Sequence, residues 1–196
     1  MNKILVIATG WHFSSHFYEN MIQQKVPDGW KIDYYCVAHR EPENENTITE
    51  KDHVRSNNSD NYLDQLDKIM YSYPITTEQI KKFGWNFMLE DNTIGDMECF
   101  NQWADHYDYK DYDMFLLAGD DNIVVDDELL YKVLGNKLES FWSNGDVGNH
   151  KINKVKYDND WLVLANNAPP TGRGMLRGSF DFFKFEIIDM LGGKFD

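Results

Sequence analysis

The chain has 196 residues and a formal charge of −14, from 19 Lys and Arg against 33 Asp and Glu. Hydrophobic residues make up 42% of it and aromatic residues 15%, a composition typical of one folded globular domain. The acidic balance argues against a broad basic surface for nucleic acid and against a polybasic patch for anionic lipid. A phosphorylated ligand stays possible, because a metal ion can carry the positive charge.

The two cysteines, Cys36 and Cys99, are too few for a disulfide framework or a CxxC zinc site, and we expect both in the core. The first apolar run, residues 4–8, is too short for a signal sequence or a membrane span. No later stretch approaches ~20 apolar residues. We therefore expect no integral membrane segment and a cytoplasmic location.

Short apolar runs alternate with amphipathic stretches, which predicts an α/β fold with a mostly parallel central sheet flanked by helices. The predicted strands cover residues 4–8, 32–38, 85–89, 114–118 and 161–165. The predicted helices cover residues 15–25, 62–70, 96–106, 127–141 and 182–191. Ser14 or Ser15 should cap the first helix, and Gly192-Gly193 should close the last. Residues 39–60 are the most polar stretch and are predicted to form a loop.

One predicted buried strand runs directly into two carboxylates and an amide, at Gly119-Asp120-Asp121-Asn122. Ligands of open α/β sheets bind outside the carboxyl ends of the strands. Two adjacent carboxylates repel each other unless a cation lies between them, and hard oxygen ligands select Mg²⁺ or Mn²⁺. Residues 105–127 hold eight Asp and one Lys, a net charge of −7. The alternative is a polar turn that caps the next helix.

The chain has three segments in this order: Asp91-Asn92-Thr93-Ile94-Gly95-Asp96 with Asn101, Met114-Phe115-Leu116-Leu117 with the acidic turn, and Arg177-Gly178-Ser179-Phe180 through Gly192-Gly193-Lys194-Phe195-Asp196. Together they resemble the GT-A glycosyltransferases, most closely their large inverting family 2 type. That family has an Asn-x-Gly-type loop, a helix that carries an Asn, and a strand that ends in a DxD-type motif. On its acceptor side, a Gly-small-aromatic strand leads into a helix that ends in Gly-Gly-Phe-Asp.

The resemblance implies a single GT-A-like, Rossmann-like domain over residues 1–196, with a nucleotide-sugar-binding half at 1–125 and an acceptor-side half at 126–196. It implies transfer of a sugar, with inversion, from a nucleoside diphosphate sugar to a hydroxyl of a glycan or other acceptor. Mn²⁺ or Mg²⁺ would be required. The site residues it implies are Asp121, Asp120 and Asn122 for the metal, with Asp120 facing either ribose or metal, and Asp91, Asn92 and Gly95 for the nucleotide.

The sequence departs from the family pattern at three places. Gly119 stands where the family often has the first Asp of DxD. Thr9-Gly10-Trp11-His12 replaces the usual Pro-x-Tyr-Asn stretch after the first strand. The family's acidic pair after Gly-Gly-Phe-Asp, which supplies the general base, has no counterpart before the last residue, Asp196. Asp181 is therefore the candidate base, with an exposed strand carboxylate as the alternative.

Further candidates follow the ends of predicted strands. Thr9, Gly10 and Trp11 would meet the nucleotide base, with Trp11 either stacking on it or lying in the core. Arg173 and Arg177 flank a loop rich in Gly and Pro, where they would bind the diphosphate or the acceptor unless the loop is only structural. Arg40 would contact phosphate or base, or else form a surface salt bridge.

Two other functions remain open from the sequence. A sugar nucleotidyltransferase shares the fold and the metal requirement, but it usually carries an early basic, Gly-rich loop, and residues 9–16 contain no Lys or Arg. A non-catalytic module would bind a nucleotide sugar or glycan without turnover. No P-loop, dinucleotide fingerprint or Gly-x-Ser-x-Gly motif is present.

Overall fold

The computed structural model of the chain describes residues 1–42, 75–91, 95–120, 122, 124, 127–135, 142–143, 150–151, 153–157, 160–164 and 180–195. The strands in these ranges are β1 (Asn2–Gly10), β2 (Trp30–Ala38), β3 (Asn86–Leu89), β4 (Met114–Gly119), β5 (Trp142–Ser143), β6 (His150–Lys151), β7 (Asn153–Tyr157), β8 (Asp160–Leu164) and β9 (Phe180–Lys184).

Seven of these strands form one sheet in the order β3-β2-β1-β4-β9-β8-β7. The first four are parallel, and β9, β8 and β7 continue the sheet antiparallel. The predicted α/β fold is confirmed, but the sheet is mixed rather than mostly parallel. One reason is that only two residues separate β7 from β8, and a connection this short allows only an antiparallel pair. The strands β5 and β6 pair separately.

The described helices are α1 (Ser15–Ile22), α2 (Thr77–Lys82), α3 (Gly95–Ala104), α4 (Leu129–Leu134) and α5 (Phe185–Met190), with a 3₁₀ turn at Tyr109–Asp111. Four of them correspond to predicted helices. The sequence analysis missed α2, although Thr76 and Gln79 form the reciprocal capping box that marks a helix start. None of the helices in the described ranges has the length and apolar character that a membrane span needs.

Two predicted helices differ from the structure. The last begins only at Phe185, because residues 182–184 belong to β9, where Phe182 pairs with Leu116 of β4 and is fully buried. Of the helix predicted over residues 127–141, the structure describes α4, which covers Leu129–Leu134 and has Gly135 as its C-cap. Residues 136–141 lie outside the described part, as do the predicted helix at 62–70 and residues 43–60 of the predicted loop.

The core consists of two layers, one on each face of the sheet. Ile4, Val6 and Ala8 of β1 pack on one face with α1 and α4, while Leu5 and Ile7 pack on the other face with α3. These five residues are at most 1% exposed, so β1 is buried on both faces, as its continuous apolar run predicts. Cys36 and Cys99 are buried free thiols, as expected.

The segment after α5 folds back onto α3. Gly192 and Gly193 have positive φ angles of 80° and 94°, and the Gly193 N–H donates to the carbonyl oxygen of Ile188, so the predicted Gly-Gly closure is confirmed. The Asn101 side chain then pairs with both backbone groups of Phe195, through two hydrogen bonds of 2.8 Å. This pairing joins the end of the described chain to the helix beside the parallel strands.

Gly10 ends β1 where β2 approaches most closely. An added Cβ would lie 2.7 Å from Cys36 Sγ and 3.0 Å from Ala38 Cβ, both closer than ordinary packing allows. A glycine is therefore required at this position for steric reasons, whatever ligand the neighbouring loop binds.

We expect Gly10→Ala to lower the free energy of unfolding, measured in urea, by about 1–3 kcal/mol, because the new methyl overpacks a buried contact. The same substitution in a Cys36→Ala background should cost less, since the 2.7 Å contact with sulfur is gone. Equal costs in the two backgrounds would contradict this close contact as the cause.

Candidate functional site

The carboxyl ends of the four parallel strands meet at one edge of the sheet. Gly10 pairs with Ala38, Ala38 with Leu89, and Thr9 with Gly119, so the loops that follow β1 to β4 start side by side. The N–H of Asp120 also donates to the Thr9 carbonyl oxygen over 3.2 Å. Ligands of open α/β sheets bind at such an edge, so it is the candidate site.

Asp120 is buried at this edge and holds the loop that follows β1. Its carboxylate accepts hydrogen bonds from three successive backbone N–H groups, those of Trp11, His12 and Phe13, over 2.6–3.1 Å. We call these three residues the 11–13 loop. Asp120 itself is 1% exposed. Consecutive N–H groups that converge on one anion form a nest, and here the protein supplies that anion from its own chain.

A buried tyrosine completes the coordination of this carboxylate. The Tyr18 hydroxyl donates to Asp120 Oδ2 over 3.3 Å and lies 3.1 Å from Cys36 Sγ. Burial raises the pKa of Tyr18 well above its ordinary value, and Cys36 and Asp120 raise this pKa further. Burial likewise raises the pKa of the Cys36 thiol. Tyr18 therefore keeps its proton and remains a donor to Asp120.

The 11–13 loop includes one unfavourable backbone conformation. Phe13 has a φ of 56°, in the left-handed region that side chains other than Gly and Asn seldom adopt. The 2.6 Å bond from its N–H to Asp120 fixes this conformation, and its carbonyl oxygen accepts from the Ile75 N–H. The carboxylate thus stabilises a loop shape that the local sequence alone does not favour.

The exposed Trp11 of the 11–13 loop contacts the half-buried Arg40. Trp11 is 43% exposed, so the alternative that it lies in the core is wrong. Arg40 Nε donates to the Trp11 carbonyl oxygen over 2.7 Å, and its guanidinium lies over the rings of Trp11 and Phe13 at 5.3 and 5.6 Å from their centroids. Within the described residues, Arg40 has no ion pair. Trp11 and Arg40 together form an aromatic and cationic surface at the sheet edge.

The turn after β4 is closed by Asn122. Its side-chain nitrogen and its backbone N–H both donate to the Gly119 carbonyl oxygen, over 2.8 and 3.3 Å, and the residue is 6% exposed. Asp121, the candidate metal ligand between these residues, lies outside the described part. Asn122 therefore has a local structural role, as the polar-turn alternative requires, whether or not its oxygen also binds a cation.

The end of β3 is held by two residues that the sequence analysis missed. Gln102 of α3 donates through Nε2 to the Asp91 carbonyl oxygen over 2.6 Å, and its Oε1 lies 3.1 Å from His39 Nε2. Asp91 is exposed, and Gly95 begins α3. Asn92 lies outside the described part. Nothing in the sequence distinguishes Gln102 from an ordinary helical glutamine.

Asp181, the candidate base, lies in β9, in the antiparallel half of the sheet. Asp181 pairs with Leu117, two residues before the end of β4, so the backbone brings it close to the same edge. Arg173 and Arg177 lie outside the described residues. The structure thus brings one set of sequence-predicted residues to a single edge: Thr9, Gly10, Trp11, Asp91, Asp120 and Asn122.

The described ranges contain no group of three His, Cys, Asp or Glu side chains arranged to hold a metal ion. Asp121 lies outside those ranges. No model of a known protein family matches the chain, and no curated protein matches it significantly in sequence.

We expect Asp120→Asn to lower the free energy of unfolding by at least about 2 kcal/mol in buffer with EDTA, because an amide group turns a donor toward N–H groups that then stay unpaired. Urea unfolding measures this. Asp113→Asn is the matched control: Asp113 lies just before β4, accepts from the Lys3 N–H over 2.8 Å and is exposed. If the two substitutions cost the same, the 11–13 loop does not depend on Asp120.

Proposed function

We propose that the chain is a metal-dependent GT-A-type glycosyltransferase, which moves a sugar with inversion from a nucleoside diphosphate sugar to a hydroxyl acceptor. One observation carries the proposal. Four parallel strands in the order β3-β2-β1-β4, extended by the antiparallel β9, bring the 11–13 loop and the acidic turn after β4 to one edge. From their position after the first strand, residues 9–11 are predicted to meet the nucleotide base, and the resemblance assigns the acidic turn to the metal.

Asp121 is the proposed metal ligand, with Asn122 as a second candidate. Asp120 already accepts four hydrogen bonds from the protein, which suits a structural role better than a place in a cation's coordination shell. The oxygen chemistry of the turn fits Mg²⁺ or Mn²⁺. Such an ion, when bound, neutralises the charge that develops on the leaving diphosphate.

The nucleotide is proposed to lie across the ends of β1 to β3. The exposed Trp11 ring, with Arg40 against it, offers a stacking surface for the base. Thr9 and Gly10 place the end of β1 close to the ligand. Asp91, which follows β3, is exposed at the other end of these three strands. Asn92, Gly95 and the two arginines, Arg173 and Arg177, are further proposed contacts, the arginines for the diphosphate or the acceptor.

The acceptor side is proposed to include β9. The order of β9, α5 and the Gly192-Gly193 closure matches the strand, helix and Gly-Gly segment that the resemblance assigns to that side. Asp181 is the carboxylate on this segment nearest the edge in the backbone register, so it is the proposed general base. It would take the proton of the acceptor hydroxyl as the sugar is transferred.

A sugar nucleotidyltransferase is less well supported. It would bind phosphate on the loop after β1, but that loop has no Lys or Arg, and the N–H groups of the 11–13 loop are already occupied by the Asp120 carboxylate. A non-catalytic module is distinguished by experiment, because it would bind the donor without hydrolysing it or transferring its sugar.

We expect Asp121→Ala to abolish the Mn²⁺-dependent part of nucleoside diphosphate binding, measured by calorimetry against UDP and GDP with Mn²⁺ or with EDTA. The physical reason is the loss of the ion's charge at the diphosphate. Asp111→Ala is the control, since it removes one charge from the same acidic stretch at an exposed position. Equal wild-type affinity in Mn²⁺ and in EDTA would contradict the metal site.

Asp181→Asn should lower the rate of donor turnover at least ~100-fold and leave donor affinity unchanged, because a general base acts mainly in the transition state. Turnover is followed by release of the nucleoside diphosphate with a panel of hydroxyl acceptors. Glu186→Gln, an exposed carboxylate at the start of α5, should keep the wild-type rate. Near-normal turnover of Asp181→Asn would remove Asp181 as the base.

A further inference from the structure

Gln102 connects the ends of two neighbouring strands. It lies in α3, is 9% exposed, and contacts the segment after β2 through Oε1 and the segment after β3 through Nε2. The backbone of these segments is already joined once, by the bond from the Glu90 N–H to the Ala38 carbonyl oxygen. The glutamine amide adds a second connection, one residue further along each segment.

The hydrogen bonds fix the roles of the atoms. The Asp91 carbonyl oxygen can only accept, so the Gln102 nitrogen must face it and the Gln102 oxygen must face His39. That oxygen can only accept, so His39 Nε2 must carry a proton and donate to it. The nearby Cys99 thiol, 3.4 Å from His39 Nε2, has its own acceptor in the Val37 carbonyl oxygen.

We propose that Gln102 is a positioning residue for the nucleotide. It acts through His39 and Asp91, and it holds the segments after β2 and β3 in register at the edge. This inference rests on the proposed function, because those segments border the proposed nucleotide position. Asp91 is exposed and Arg40 is half-buried, and both are ligand candidates. Gln102 holds the backbone of Asp91 directly and that of Arg40 through the side chain of the preceding His39. The substrate class it serves is the nucleoside diphosphate.

Three substitutions separate this role from that of an ordinary buried side chain. Gln102→Leu removes both hydrogen bonds. Gln102→Glu keeps an acceptor for His39 but has no donor for the Asp91 carbonyl oxygen. Gln24→Leu is the control: Gln24 is 6% exposed, and its amide also joins two elements, accepting from the Leu130 N–H and donating to the Asn20 carbonyl oxygen, away from the edge.

The first measurement is amide hydrogen exchange together with the ¹⁵N NMR signature of the His39 ring, neither of which needs a ligand. We expect the wild-type His39 ring to be the Nε2–H tautomer. Gln102→Leu should speed exchange about three- to tenfold at residues 39–41 and 86–91, Gln102→Glu only at 86–91, and Gln24→Leu at neither. Unchanged exchange at both segments in a folded Gln102→Leu protein, or an Nδ1–H tautomer in the wild type, would overturn the proposal.

The second measurement is the affinity for UDP and GDP with Mn²⁺. We expect both Gln102 variants to bind the nucleotide that the wild type prefers about three- to tenfold more weakly, and Gln24→Leu to bind it as the wild type does. Faster exchange with unchanged affinity would overturn the positioning role. If the wild type binds neither nucleotide, the proposed function fails, and the role of Gln102 toward a nucleotide fails with it. The exchange data then still show whether Gln102 holds the two segments together.

If Gln102→Leu does not fold, both measurements are made with Gln102→Glu, and their results decide the proposal. It replaces the amide NH₂ by a carboxylate oxygen, with the charge that this adds, and of the two hydrogen bonds it should lose only the one to Asp91. Unchanged exchange at 86–91 together with wild-type affinity would then overturn the proposal, and selective loss of protection there with weaker binding would support it.

Discussion

A single buried carboxylate determines the geometry of the sheet edge. Asp120, at the end of β4, accepts from three consecutive N–H groups of the loop after β1 and from the Tyr18 hydroxyl. Those N–H groups precede α1, whose N-cap is Ser14, so the helix supplies no acceptor for them. The bonds also hold Phe13 in its left-handed conformation and thereby set the position of Trp11 and of the arginine stacked on it.

The packing of the sheet makes this arrangement possible. Gly10 lets β2 approach β1 closely enough for Cys36 to reach Tyr18, and Tyr18 in turn reaches Asp120. Strand β2 also places His39 within reach of α3, where Gln102 hydrogen-bonds to it. Core packing therefore determines the geometry of the site at this edge, because polar groups that follow the buried strands hold each loop in place.

The sequence predicts those parts of the fold that depend on local periodicity. The continuous apolar runs gave β1 and β4, and the amphipathic patterns gave α1 and α3, because burial of one or both faces leaves a direct trace in the residue order. The change from parallel to antiparallel strand pairing has no such signature in the residue order. Phe-Asp-Phe-Phe-Lys in β9 also fits a helix period, and only its pairing with β4 decides between the two.

The sequence locates the candidate site, because the position of the site follows from the ends of the strands. It does not give the role of each site residue, because that role depends on contacts between residues that are distant in sequence. Two adjacent carboxylates at Asp120 and Asp121 suggest one cation site only if both lack partners in the protein. Asp120 has four donors more than a hundred residues away in sequence, and a carboxylate satisfied in this way needs no cation. Any cation recruited to this turn must therefore be held by other oxygens. Of the acidic pair, Asp120 therefore shapes the loop after β1 rather than forming a cation site.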